Sequence, residues 1–87
     1  MPLLTWTPQA WEDYLYWQKT DKKMVNRINL LIKEALRTPF EGKGKPEPLR
    51  FDLAGYWSRR IDHEHRLVYK FKDNPEALVI VQCRYHD

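Results

Sequence analysis

Three side chains of complementary chemistry lie in the second half of the chain: Glu47, set between Pro46 and Pro48; Arg66; and His86, the penultimate residue. A carboxylate can take a proton, a guanidinium can hold developing negative charge, and an imidazole titrates near neutrality and can return a proton. Those are the parts needed to cleave RNA without a metal: a base for the 2′-hydroxyl, a cation for the phosphorane-like charge, and an acid for the departing 5′-oxygen. Each residue also has an ordinary reading. Glu47 is a solvated loop residue, Arg66 a surface partner of Glu64, and His86 a loose terminal side chain.

Other chemistry-bearing residues are weaker candidates. Cys83 falls on the apolar parity of the last strand, with no histidine on that face to activate it, so core packing is expected. His63 and His65 are two residues apart but have no cysteine or third histidine beside them, so neither a metal site nor a cofactor is expected. Gly42-Lys43-Gly44-Lys45 lacks the Gly-Lys-Ser/Thr ending of a phosphate loop and reads as a flexible basic loop.

Eighty-seven residues suit one domain spanning 1–87, which at this size buries only about 60% of its unfolded surface. The hydrophobic fraction is 43%, with four Trp, five Tyr and three Phe, enough for an aromatic-rich core. A mean hydropathy of −0.75 and only short apolar runs argue against a membrane span, and the start of the chain lacks a secretory signal. The single cysteine excludes an internal disulfide and fits a reducing cytoplasm. The net charge of +3 is concentrated: residues 43–70 hold seven Lys/Arg (Lys43, Lys45, Arg50, Arg59, Arg60, Arg66, Lys70) against four acids. Tyr56 and Trp57 precede Arg59 and Arg60, a combination suited to stacking on bases and neutralising phosphates.

The positioning elements follow from periodicity. Leu3–Trp6 suits a strand, and Thr7-Pro8 an N-cap followed by proline at the first helical position. In the first helix Trp11, Tyr14, Leu15 and Trp17 are expected on the buried side, with Glu12, Asp13, Gln18 and Lys19 in water and the two acids favouring the helix dipole. Asp21 caps a second helix with apolar positions Met24, Val25, Ile28, Leu31, Ile32, Ala35 and Leu36, stopped at Thr38 by Pro39. After the Pro/Gly-rich stretch 39–48 the period becomes two, over Tyr56–Ile61, His65–Phe71 and Ala77–His86. Leu67, Tyr69 and Phe71 are assigned to the core face, as are Val79, Val81, Cys83 and Tyr85. Arg66, Arg84 and His86 are assigned to the open face. The expected fold is α+β: two antiparallel N-terminal helices on one face of a mostly antiparallel sheet. A simple last hairpin brings His86 nearer Ile61–Glu64 than Arg66, so a bulge, a register shift or a bent terminus must close the gap.

The stretches Trp11–Trp17, Arg37–Leu49, Gly55–Ile61, Glu64–Tyr69 and Cys83–His86 resemble the YoeB/Txe toxins of the RelE/ParE superfamily, nearly end to end. The resemblance implies a RelE/ParE-like fold and the toxin of a type II toxin–antitoxin pair, a ribosome-dependent endoribonuclease that cuts messenger RNA in the decoding site and stops translation in the cytoplasm. It implies Glu47 as general base, Arg66 as transition-state cation and His86 as general acid. Lys43, Lys45, Arg50, Arg59 and Arg60 become candidate contacts to ribosomal or messenger RNA, and Glu64 a candidate member of the catalytic network. The implied partners are a YefM/Axe-like antitoxin, the ribosome, its message, and a second copy of the chain, as in close relatives. The other readings are a ParE-like toxin acting on gyrase and a non-catalytic RNA-binding module. Family members usually carry Tyr after the terminal His, where this chain has Asp87; its carboxylate is expected to favour protonated His86. Tyr85 is not expected to substitute for that Tyr, because its parity points it at the core.

Overall fold

The computed structural model describes residues 1–85. Strand β1 (Leu3–Trp6) leads into helices α1 (Pro8–Thr20) and α2 (Lys22–Arg37). Then come β2 (Glu47–Pro48), a 3-10 turn (Phe51–Leu53), β3 (Trp57–Arg60), β4 (Arg66–Lys72) and β5 (Ala77–Gln82). The strands form one sheet in the order β1-β5-β4-β3-β2, antiparallel except for the parallel β1–β5 pair. The two helices pack on one face, the α+β arrangement expected from the sequence.

Local chemistry sets the helix ends. The Thr7 hydroxyl accepts from Ala10 N at 3.1 Å, and Pro8 opens α1. Asp21 joins the helices alone. Its amide donates to Trp17 O, closing α1, while its carboxylate accepts from Lys23 N and Met24 N, opening α2. The α2 stripe is as its period implies: Met24, Ile28, Leu31, Ile32 and Ala35 are buried. Pro39 stops the helix at Thr38.

The face of α1 differs from expectation. Ala10, Asp13 and Trp17 are the buried positions, while Trp11 is 46% exposed and Leu15 is also exposed. Trp11 joins Trp6 and Tyr14 in a surface aromatic group instead, and neither Glu12 nor Asp13 lies in the first turn. The parity of β5 is likewise the reverse of that expected. Leu78 and Ile80 face the helices, and Val79 lies opposite Lys70 on the other face. Tyr69 pairs with Ile80 and Val68 with Gln82, leaving Val81 as an extra residue, and this bulge returns Cys83 to the core. Burial, with the Asp13 charge adding to it, pushes the Cys83 thiol up to about 12.

The stretch between α2 and β2 is anchored rather than flexible. Arg59 is fully buried, and its guanidinium donates to Lys43 O (3.0 Å), Glu41 O (2.9 Å) and Thr38 O, with Nε on the Tyr69 hydroxyl (2.9 Å). That hydroxyl donates onward to Pro39 O at 2.7 Å. Gly44, at φ +86, fits because a Cβ there would lie 2.8 Å from Leu31 Cδ2 and 3.1 Å from Arg59 Cβ. The neighbouring Arg60 N donates to Gly44 O at 2.7 Å.

Two outcomes test this packing. Arg59→Met keeps an unbranched chain but strands three carbonyls and a phenol, and is expected to cost roughly 2–4 kcal/mol in urea unfolding. A stability equal to that of the parent protein would contradict the anchoring role. The Cys83 thiol should resist iodoacetamide at pH 8 in the native protein and react at an ordinary rate once urea unfolds it.

Candidate functional site

Glu47 sits at the sheet edge, where the flanking prolines cost no ladder bonds that the edge needs. It pairs with Ser58, Ser58 pairs with Val68, and Val68 pairs with Gln82, so these four residues form one row on the face away from the helices. Arg66 lies two residues from Val68 along β4 and therefore shares that face, with Arg60 directly opposite it. Glu47 and Arg66 are thus two strands apart, about 10 Å in the hydrogen-bonding direction. Ser58 and Val68 are buried between them in register and give the face a floor of short side chains.

Arg66 is held from behind. Its Nη1 donates to Asp62 O at 2.9 Å and more weakly to His65 O at 3.3 Å. The turn that presents those carbonyls is closed by the Asp62 carboxylate, which accepts from Glu64 N (2.9 Å) and His65 N (2.7 Å). Burial raises the Asp62 pKa, but the two amide bonds outweigh it and hold the carboxyl below its usual value. Arg27 of α2 braces the same turn through Ile61 O and Arg60 O.

A bulge in β5 and a bend after it bring Tyr85, the residue before His86, to Arg66. Regular pairing ends at Gln82, and the chain then bends so that Arg66 N donates to Tyr85 O at 2.9 Å. The residue preceding His86 is therefore bonded to the backbone of Arg66. His86 and Asp87 themselves lie outside the described residues, and so does the expected effect of Asp87 on the histidine.

Several assignments change. Arg59 is withdrawn from the RNA-facing set, because every nitrogen of its guanidinium is turned inward and bonded. Lys43, Lys45, Arg50 and Arg60 remain exposed. Arg84 is not on the open face. Its guanidinium stacks on Tyr16 of α1, 3.6 Å from the ring centroid. Tyr85 does not point into the core but is 49% exposed, at φ +62, with its ring 4.9 Å from that of His65. Glu64 lies 3.7 Å from His65 Nε2 and makes no side-chain bond to Arg66 among the described residues. No cluster of three His, Cys, Asp or Glu among the described residues is arranged to hold a metal.

Three residues that the sequence reading left out of the site hold the segment before His86. Asp13 accepts from Cys83 N at 3.1 Å, Trp17 Nε1 donates to Cys83 O at 2.9 Å, and His65 Nδ1 accepts from Tyr85 N at 2.7 Å. The available signal was the spacing of Ala10, Asp13 and Trp17, which places a carboxylate and an indole on one helical stripe.

Residues 6–87 match the family model for a YoeB-like toxin of bacterial type II toxin–antitoxin systems. The chain is 61% identical over 83 residues to Toxin YoeB of Escherichia coli (strain K12), covering 95% of this chain and 96% of that one. Its fold superposes with a TM-score of 0.95 on a YoeB/ParE toxin from Agrobacterium tumefaciens, at 55% identity over 98% of this chain and 99% of the other. A YoeB–YefM complex from Staphylococcus aureus contains a chain that is 51% identical, with a TM-score of 0.88 and coverage of 100% and 99%.

Proposed function

The chain belongs to the YoeB-like toxins of bacterial type II toxin–antitoxin systems, and from that membership we propose that it is a ribosome-dependent endoribonuclease that cuts messenger RNA in the decoding site. The observation that carries this reading is the shared face: Glu47, Arg60 and Arg66 lie on one side of the sheet by register, and the chain one residue before His86 is bonded to Arg66. In the proposed reaction Glu47 removes the proton from a ribose 2′-hydroxyl, whose oxygen attacks the adjacent phosphorus. Arg66, with Arg60 beside it, stabilises the extra negative charge, and His86 gives its proton to the 5′-oxygen as the P–O bond breaks. The products are a 2′,3′-cyclic phosphate and a free 5′-hydroxyl.

The geometry supports dependence on a larger partner. Glu47 and Arg60 are both exposed to solvent. A site this exposed leaves orientation of the message to a larger partner, and orientation can supply roughly 7–11 kcal/mol. Lys43, Lys45, Arg50 and Arg60 are the exposed cations through which the protein would meet ribosomal or messenger RNA. The substrate places the protein in the cytoplasm; among the described residues no helix is long and apolar enough to cross a membrane. By analogy with the Staphylococcus aureus complex, its inhibitor is a YefM-like antitoxin.

Primer extension on messenger RNA in a translation extract tests this function. Cleavage is expected with the parent protein, with a loss of about 10²–10⁴-fold for Glu47→Gln and for His86→Gln, while both variants still co-sediment with ribosomes. Equally fast cutting of naked RNA by the purified protein would defeat ribosome dependence. Growth arrest that survives both substitutions would favour a binding module or a gyrase poison instead.

A further inference from the structure

We propose that His65 is a positioning residue for this reaction, acting through the main chain of Tyr85 to fix the segment that carries His86; the inference rests on the reading of His86 as general acid. Three features carry it. The β5 ladder stops at Gln82, so Cys83, Arg84 and Tyr85 lie beyond the regular pairing that fixes the rest of the strand. Tyr85 adopts φ +62, a conformation that side-chain-bearing residues avoid unless their surroundings impose it. The imposing contacts are specific: Tyr85 N donates to His65 Nδ1 at 2.7 Å, and Arg66 N donates to Tyr85 O at 2.9 Å.

His65 is built for that one acceptor role. It is buried, its ring stands edge-on to Trp17 at 4.8 Å, and it lies 4.9 Å from the Tyr85 ring. Its own amide is held by Asp62, and its carbonyl accepts from Ile61 N, so the backbone cannot shift to substitute another acceptor. An amide donor at Nδ1 requires a lone pair there and leaves the proton of the neutral ring on Nε2, toward Glu64. His65 and Arg66 are consecutive, so one short segment presents the transition-state cation and pins the chain bearing the acid. Loss of the Nδ1 acceptor should free Tyr85 from φ +62 without touching the exposed cations Lys43, Lys45, Arg50 and Arg60.

Two substitutions separate positioning from packing. His65→Phe keeps an aromatic ring between Trp17 and Tyr85 but supplies no acceptor; His65→Asn loses the ring but places a carboxamide oxygen near the Nδ1 position. Single-turnover cleavage on programmed ribosomes is expected to fall about 100-fold in rate for His65→Phe, with half-saturation unchanged, and to recover most of that loss in His65→Asn. The Tyr85 amide should lose hydrogen-exchange protection in the Phe variant and keep it in the Asn variant. The reverse order, with Phe active and Asn impaired, would assign His65 to packing and overturn the inference. Wild-type exchange at Tyr85 in His65→Phe would do the same without reference to activity. If His65→Phe does not fold, a folded His65→Asn protein that has lost both rate and Tyr85 protection overturns the inference by itself. His86→Gln, run in parallel, separates the two levels: loss there with none in His65→Phe defeats only the positioning role, whereas full activity in His86→Gln defeats the ribonuclease reading and the positioning role with it.

Discussion

A guanidinium buried without a carboxylate partner must find enough neutral acceptors to offset its desolvation, and Arg59 does so by drawing in main-chain carbonyls that belong to no strand or helix. Thr38, Glu41 and Lys43 supply those carbonyls, all from the stretch that follows α2. The Tyr69 hydroxyl accepts from Nε and donates to Pro39 O, tying β4 to the same knot. Burial raises the Tyr69 pKa, and the bond from Arg59 works against that rise, so the phenol stays a donor toward Pro39 while its oxygen faces a cation. Fixing residues 38–43 fixes where Gly44 passes over Leu31, and hence where Glu47 meets β3. The carboxylate at the sheet edge is therefore placed by a cation on the opposite face.

The other end of the site is held by the inverse chemistry. Beyond Gln82 the free amides of Cys83 and Tyr85 need acceptors, and a carboxylate from α1 and an imidazole from the β3–β4 turn provide them. The bend they enforce carries the chain across to Arg66, which lies on a central strand with neighbours on both sides. A small domain buries too little surface to enclose a polymer-binding cleft. This one brings a residue of an edge strand, Glu47, and one of a central strand, Arg66, onto one face. Residues 83–85 depend on a few side-chain bonds and not on a ladder, so they belong to the less stable end of the fold.

The legible parts of the sequence were those with strong contrast between faces. The α2 stripe, the caps at Thr7 and Asp21, and the alternation around Leu67 and Tyr69 combine apolar residues on one side with polar ones on the other, and they read correctly. In β5 both parities are apolar, Leu78 and Ile80 against Val79 and Val81, so alternation could not choose, and a one-residue bulge is invisible to it. Asp13 and Arg59 were read as solvent-facing because charged residues usually are. Each is buried for want of partners elsewhere, Asp13 for the Cys83 amide and Arg59 for the loop carbonyls, and those needs arise only in the folded chain. Glu47 and Arg66 could be singled out by type, but their common face depends on the β2–β3 and β3–β4 registers, which no local pattern supplies.

The Arg60–Arg66 pairing is the feature of the open face that stability alone does not explain. Like charges placed directly opposite on neighbouring strands repel, and a sheet selected only for stability would put an acid or a neutral residue at one of them. The structure does more than tolerate the pair: Arg27 and the Asp62 turn spend hydrogen bonds on the backbone and guanidinium around it, holding both cations on the side where Glu47 also points. With Arg59 withdrawn into the interior, the net charge of +3 loses one of its apparent surface contributors. Among the described residues Arg60 stays exposed and Arg66 half-buried on the face that Glu47 shares. Two cations held side by side next to a carboxylate favour an anionic ligand over a neutral one.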